Sequence, residues 1–302
     1  MSTKGFELVL NWRDKIGSKF SYNVGVTLGD NKSTILEYKN DDGRFDTWYN
    51  GKVNGEVWGY VTDKIIQTQA DLDNMPDQTY LRGSWRLGDM MYKDLNGDGK
   101  IDRGSSTLDD PGDRKIIGNT SPRYNYGLTV GAQWNGFDFN MFWQGIGKRN
   151  YMPSYEDYRY FGLTPAGGGN LGNNSGLFKN GPGLDFWRPA DYNYGPRLGP
   201  NTDAWFTRGY FTDEGRKNFQ TQTRYLLNTG YFRLKNIQLG YTIPQHISRK
   251  FFAEKARLYF SGENMLTLTK LAKTYEPESV HLGGNPTYPI SRTLSVGLNI
   301  TF

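Results

Sequence analysis

The stretch Asp94-Leu95-Asn96-Gly97-Asp98-Gly99-Lys100-Ile101-Asp102 has residue types and spacing that could wrap a hard cation. Asp94, Asn96 and Asp98 fall at the first, third and fifth places of a calcium loop. Gly99 supplies the sharp turn, Lys100 a backbone carbonyl, and Asp102 the ninth place. The twelfth place is Ser105 instead of a bidentate Glu, and no helical periodicity flanks the loop, so an EF-hand is excluded. Two readings stand. One is a calcium-stapled turn that borrows a carboxylate from Asp109, Asp110 or Asp113. The other is a tight Asn-Gly/Asp-Gly turn whose acids cap backbone N–H groups.

Aromatic residues form the second candidate set. The segment from about 148 to 229 holds Tyr155, Tyr158, Tyr160, Phe161, Trp187, Tyr192, Tyr194, Trp205 and Tyr210. Aromatic faces beside polar groups suit sugar rings and protein partners alike. A loop of this length must also pack onto itself. Tyr155, Tyr158, Tyr160, Trp187 and Trp205 are the candidate substrate- or partner-binding residues. Gly167-Gly168-Gly169-Asn170-Leu171-Gly172 matches Gly-x-Gly-x-x-Gly in form, but no strand precedes it and no βαβ unit surrounds it, so it reads as a flexible loop. The chain has no Cys and only two His, His246 and His281, far apart in sequence and read as structural. No nucleophile–base arrangement is present, and the chain does not read as an enzyme.

These loops hang on strands. Phe6, Leu8, Leu10 and Trp12 alternate with Glu7, Val9 and Asn11, and a short turn follows. Phe20, Tyr22, Val24, Val26 and Leu28 form a second face, and a long polar segment then runs from about 30 to 121. A third strand shows Tyr124, Tyr126, Leu128, Val130, Ala132 and Trp134; Asn135-Gly136 turns it into a fourth with Phe137, Phe139, Met141 and Trp143. Phe142 is the apolar exception on the opposite face of that strand. In the fifth strand Ile237, Leu239, Tyr241 and Ile243 share a face, but Arg233 and Lys235 break phase, which predicts a bulge or a rim position. The sixth has Leu258, Phe260, Leu266 and Leu268, interrupted by Asn264. The last alternates Leu294, Val296, Leu298, Ile300 and Phe302 with Thr293, Ser295, Gly297, Asn299 and Thr301.

The seven strands are joined by short, long, short, long, short and medium connections. Outer-membrane barrels sort their loops this way, with short turns on the periplasmic side and long loops outside. Trp12, Trp134 and Trp143 suit an aromatic girdle. The competing architecture is a soluble carbohydrate-binding β-protein, which has no reason to sort its loops by length. The 302 residues carry 36% hydrophobic and 15% aromatic side chains and 38 Gly, with a mean hydropathy of −0.71. No apolar run exceeds three residues, so no transmembrane helix is expected; a barrel strand turns half its residues to water and needs no such run. The net charge of +5 is spread along the chain without a basic cluster, which argues against nucleic-acid binding. Residues 1–7 enter a strand with no leader pattern, and seven antiparallel strands leave one without a partner. The reading is therefore a fragment.

Several stretches resemble the SusC/RagA-type TonB-dependent outer-membrane transporters: 4–17 (KGFELVLNWRDKIG), 92–102 (YKDLNGDGKID), 117–128 (IGNTSPRYNYGL), 231–244 (YFRLKNIQLGYTIP) and the final strand. The resemblance covers essentially the whole chain. It implies an all-β fold: residues 1–302 as the C-terminal portion of a larger, plugged antiparallel transmembrane β-barrel, with long extracellular loops. It further implies import of oligosaccharides or peptides across the outer membrane of a Gram-negative cell. A SusD-like surface lipoprotein would be the partner, lipid the surroundings, and the TonB system the energy source, acting through N-terminal parts this sequence lacks. No cofactor is required by the family, which leaves Ca2+ at the acidic loop as the single candidate.

Overall fold

The computed structural model describes residues 1–153, 185–191, 199–210, 213–271, 275–280 and 290–302. In chain order its strands are β1 (Ser2–Ile16), β2 (Phe20–Thr34), β3 (Glu56–Tyr60), β4 (Thr62–Ile65), β5 (Met90–Tyr92), β6 (Arg114–Asn119), β7 (Arg123–Trp134), β8 (Phe137–Lys148), β9 (Asn150–Tyr151), β10 (Leu227–Asn228), β11 (Tyr231–Thr242), β12 (Lys255–Thr269) and β13 (Thr293–Thr301). Two short α-helices are α1 (Gln69–Asn74) and α2 (Gln245–Ser248). No helix among the described residues is long and apolar enough to cross a membrane.

The seven strands read from periodicity form one antiparallel sheet in the order β1-β2-β7-β8-β11-β12-β13. Their registers carry the one-faced pattern from strand to strand. Leu10, Val26, Leu128, Trp143, Leu234 and Leu266 stand side by side across six strands. Tyr22, Ala132, Phe139, Leu239, Phe260 and Val296 do the same nearer the short turns. Most of this face is open: Val296 is 75% exposed, Leu294 61% and Leu298 59%. A β-sandwich would cover it with a second sheet. Among the described residues the remaining sheets are all two-stranded, and they lie in the long connections. An apolar face of this breadth with no covering layer fits a wall against lipid and not a soluble core.

The connections sort as expected. Gly17-Ser18-Lys19, with Gly17 at φ +64°, joins β1 to β2. Asn135 (φ 51°) and Gly136 (φ 91°) join β7 to β8 as the two-residue turn that requires positive φ at both positions. The turn holding α2 joins β11 to β12 at the same end. The connections at the other end are long. Beside the short turns an aromatic row stacks, with Phe137 4.6 Å from Tyr241 and 6.5 Å from Trp134 between ring centroids. Trp143 sits instead toward the long-loop side, stacked on Phe232 at 4.7 Å with Tyr126 nearby. Tyr126 and Trp134 bound the apolar stretch of β7. They are eight residues apart, which is about 27 Å of strand and roughly 20 Å of height at a tilt of about 40°.

One feature differs from the sequence reading, and two irregularities noted there take definite form. The first hairpin is longer, because β1 runs to Ile16 and β2 to Thr34, and backbone pairing continues past the apolar band. The phase break in β11 is a bulge. Leu234 and Asn236 pair with the adjacent residues Trp143 and Phe142 of β8, which leaves Lys235 as the extra residue. The same two residues pair with Leu266 and Glu263 of β12, so a second irregularity surrounds Asn264. Asn264 sits at φ 53°, a conformation Asn tolerates better than most residues, and its amide donates to the Ser291 carbonyl at 3.1 Å. This explains an interruption that alternation could not.

Candidate functional site

The polar face of the sheet is its concave one. Arg257 of β12 reaches across β11 to Asp138 of β8, with bonds of 2.9 and 2.5 Å, and also donates to Gln238 at 3.1 Å. The pair passes over Gly240, where a Cβ would lie 2.4 Å from the guanidinium and 2.6 Å from the carboxylate. Asn23 and Asn140, from strands on either side of β7, converge in the same way over Gly131. Side chains from strands two apart, about 9.5 Å distant, meet readily only on the inside of a curved sheet. A shallow basin of ≈ 660 Å³ opens on this face beside the short turns, among Lys19, Gln133, Asp138, Asn140, Gln238, Lys255 and Arg257. It offers a hydrogen-bonding, charged wall.

At the opposite end the two long connections fold together into one loop unit. Its core joins Tyr60, Ile65, Met90, Tyr92 and Ile101 of the first to Trp187, Ala204 and Tyr225 of the second. Buried Tyr225 is held against Phe219, ring centroids 5.4 Å apart, and its hydroxyl is pushed up to about 12 by burial. The backbones interlock as Tyr60 donates to the Thr221 carbonyl at 2.8 Å and Thr223 donates to that of Tyr60 at 3.1 Å. Beneath lies a fully buried ion pair, Lys217–Asp89 at 2.9 Å. Asp89 also accepts from Tyr210 (2.6 and 2.7 Å), Asn218 (2.9 Å) and the Arg86 amide (2.9 Å), while the Lys217 ammonium donates to the Ser84 carbonyl. Burial and the adjoining Asp89 carboxylate raise the Tyr210 hydroxyl well above its ordinary value, so Tyr210 remains a donor. A buried pair satisfied this fully fixes how the two connections meet.

The acidic loop lies on the rim of this unit. Asp94 accepts from the amides of Gly97 (2.6 Å) and Gly99 (2.8 Å), Asn96 from that of Asp98 (3.1 Å), Asp98 from that of Lys100 (2.8 Å), and Asp102 from that of Gly104 (2.7 Å). These bonds hold the Asp94 carboxyl below its ordinary range. Buried Asp113 spans the base of the loop by accepting from the amides of Leu95 and Asp102, both at 2.8 Å, and burial pushes its carboxyl up. Among the described residues no three His, Cys, Asp or Glu side chains are grouped to hold a metal ion. The bonds within the loop are those by which acids cap a tight turn.

The aromatic candidates divide. Trp187 is 4% exposed, sits in the loop core, and donates its indole N–H to Gln67 at 2.8 Å; its part is packing. Trp205 is 44% exposed and lies under the Arg224 guanidinium at 4.9 Å. Tyr155, Tyr158 and Tyr160 lie outside the described residues. Tyr38, Trp48 and Tyr80 of the first connection are exposed as well. Motif and spacing do not reveal them, because that segment reads as polar throughout.

No protein-family profile matches the chain. Curated relatives come from Formosa agariphila. TonB-dependent receptor P3 is 25% identical over 334 residues and TonB-dependent receptor P26 is 23% identical over 325; each alignment spans all of this chain and 29% of the relative. Among solved structures, the RagAB peptide transporter matches with a TM-score of 0.64 at 19% identity, over 99% of this chain and 29% of that one. The RagAB peptide importer in its open-open state gives 0.63 at 18%, over 99% and 28%. The chain thus spans less than a third of the length of the proteins it matches. The likeness to TonB-dependent receptors extends along the whole sequence, and the fold is that of a segment of the RagAB transporter.

Proposed function

We propose that the chain forms part of the wall and outer loops of an outer-membrane active transporter in a Gram-negative cell, and that residues 1–302 are the C-terminal portion of its barrel. The observation that carries this reading is the sheet itself. One registered apolar face lies bare, a polar face lines the concave side, and the connections sort by length at opposite ends. That is the pattern of a strand wall between lipid and an aqueous lumen. The likeness to proteins named as TonB-dependent receptors and as a peptide importer supports it. Cargo would be oligosaccharide or peptide. The folded loop unit would meet a SusD-like surface lipoprotein, with Trp205 at an exposed site able to contribute, and the TonB system would act through a segment outside this sequence. No catalytic step is assigned to the chain.

The test uses the full-length receptor in its own host. Deleting its gene should abolish growth on one polymer class, glycan or peptide, and leave growth on the corresponding monomers. Tagged receptor should co-purify with a lipoprotein encoded beside it. Unchanged growth on every polymer, together with a water-soluble receptor, would sink the reading.

A further inference from the structure

The turn between β11 and β12 is built at a cost that the chain by itself does not explain. After α2, a 3-10 turn over Arg249–Phe251 ends at Phe252 in the left-handed conformation, φ 60° and ψ 17°. That position ordinarily takes glycine, and a bulky ring there is strained. Phe252 is also 89% exposed and its neighbour Phe251 72%. Strain and a bare apolar surface at one point indicate that something outside the chain covers the rings.

The position says what covers them. The turn lies at the short-turn end, just beyond the aromatic row of Trp134, Phe137 and Tyr241. It folds toward the apolar face. Ala256 belongs to the same face as Leu258, yet it is 8% exposed against 51%, and α2 is the element packed on β12 there. Arg249 and Lys250 are exposed beside the two rings. Apolar rings level with the end of a lipid-facing band, with cations alongside, match the boundary between acyl chains and anionic headgroups. We propose that the 244–254 turn is a lipid anchor. Phe251 and Phe252 enter the leaflet at the short-turn end, and Arg249 and Lys250 meet the phosphates of anionic phospholipids. The inference rests on the membrane reading of the apolar face.

The test places a small environment-sensitive fluorophore on Phe251→Cys, and separately on Val296→Cys, in the full-length receptor. Each is reconstituted in phosphatidylethanolamine vesicles with phosphatidylglycerol. Heat-modifiable mobility on gels first verifies that both variants fold. Spin-labelled lipid should quench both probes, and aqueous iodide neither. Replacing Arg249 and Lys250 by Glu should lower lipid quenching at 251 roughly twofold in these vesicles, and little when phosphatidylglycerol is omitted. Iodide quenching at 251 with lipid quenching at 296 would put the turn in water and overturn the anchor alone. Shielding of 251 from both quenchers would put it against protein and would likewise overturn the anchor. Loss of lipid quenching at 296 would overturn the membrane reading, and the anchor with it.

Discussion

Asp113 and Lys217 are the two residues whose loss the loop unit should feel most. Asp113→Ala would leave the half-buried amides of Leu95 and Asp102 without acceptors, which costs up to about 1–3 kcal/mol. Protease cleavage within 94–113 should rise sharply in the full-length receptor, while the strands stay protected. Calorimetry on the same protein separates the two readings of the acidic turn. Calcium uptake lost in Asp98→Ala would assign a cation; no heat of binding with the loop intact leaves the capped turn. The pH dependence follows from Asp94. Its folded value lies below the ordinary one, so its contribution is complete above the ordinary carboxylate value of about 4 and is lost as pH falls through the folded value. The protection factors of the Gly97 and Gly99 amides, taken against their intrinsic exchange rates, should fall on acidification only below that range. Lys217→Met would strand the Asp89 charge in the loop core, where neither side chain is exposed. Breaking such a pair costs about 3–5 kcal/mol, and release of the two connections from each other should appear as cooperative loss of exchange protection in both.

At the scale of the strand, one residue of register decides which solvent a side chain meets. Val296 pairs with Phe260 and Ser295 with Ser261, on opposite faces of the same strand. Val296→Arg should cost about 2–4 kcal/mol if it lies near the midplane, and Ser295→Arg much less. Equal effects on folding into lipid vesicles would remove the face assignment. Gly240 tests curvature. A Leu there would collide with the Arg257–Asp138 bridge, and overpacking of this kind costs about 1–3 kcal/mol. The expected result is a lower unfolding temperature that the Gly240→Leu, Asp138→Ala double variant partly restores.

At the scale of the whole molecule, the outermost strands β1 and β13 each have one neighbour in the seven-stranded sheet. Open edges inside a bilayer leave backbone groups unsatisfied, so in the proposed transporter wall both require partners. Phe302 sits one residue beyond β13, 84% exposed at the short-turn end. Deleting it in the full-length receptor should reduce the assembled, heat-modifiable species and raise periplasmic degradation products, while Thr301→Ser changes little. Normal assembly after the deletion would contradict a role for this end in strand closure.

Sequence alone determined the seven strands, their faces, the Asn135-Gly136 turn, the phase break at Lys235 and the sorting of connections by length. Each is local: a period of two, or a turn that needs positive φ, is written in neighbouring residues. The tertiary structure decided what such periods cannot carry. Tyr92 donates to the Lys217 carbonyl 125 residues away, and the ion pair beside it turns two polar-looking segments into one folded unit. Trp187 faces inward because Gln67, 120 residues earlier, accepts its N–H. Asn264 breaks its face because a bulge in the neighbouring strand shifts the register. The exposed, left-handed Phe252 follows from how a short helix ends. Pairings between distant segments are set by packing and buried hydrogen bonding across the whole chain, and no local pattern encodes which partner each residue finds.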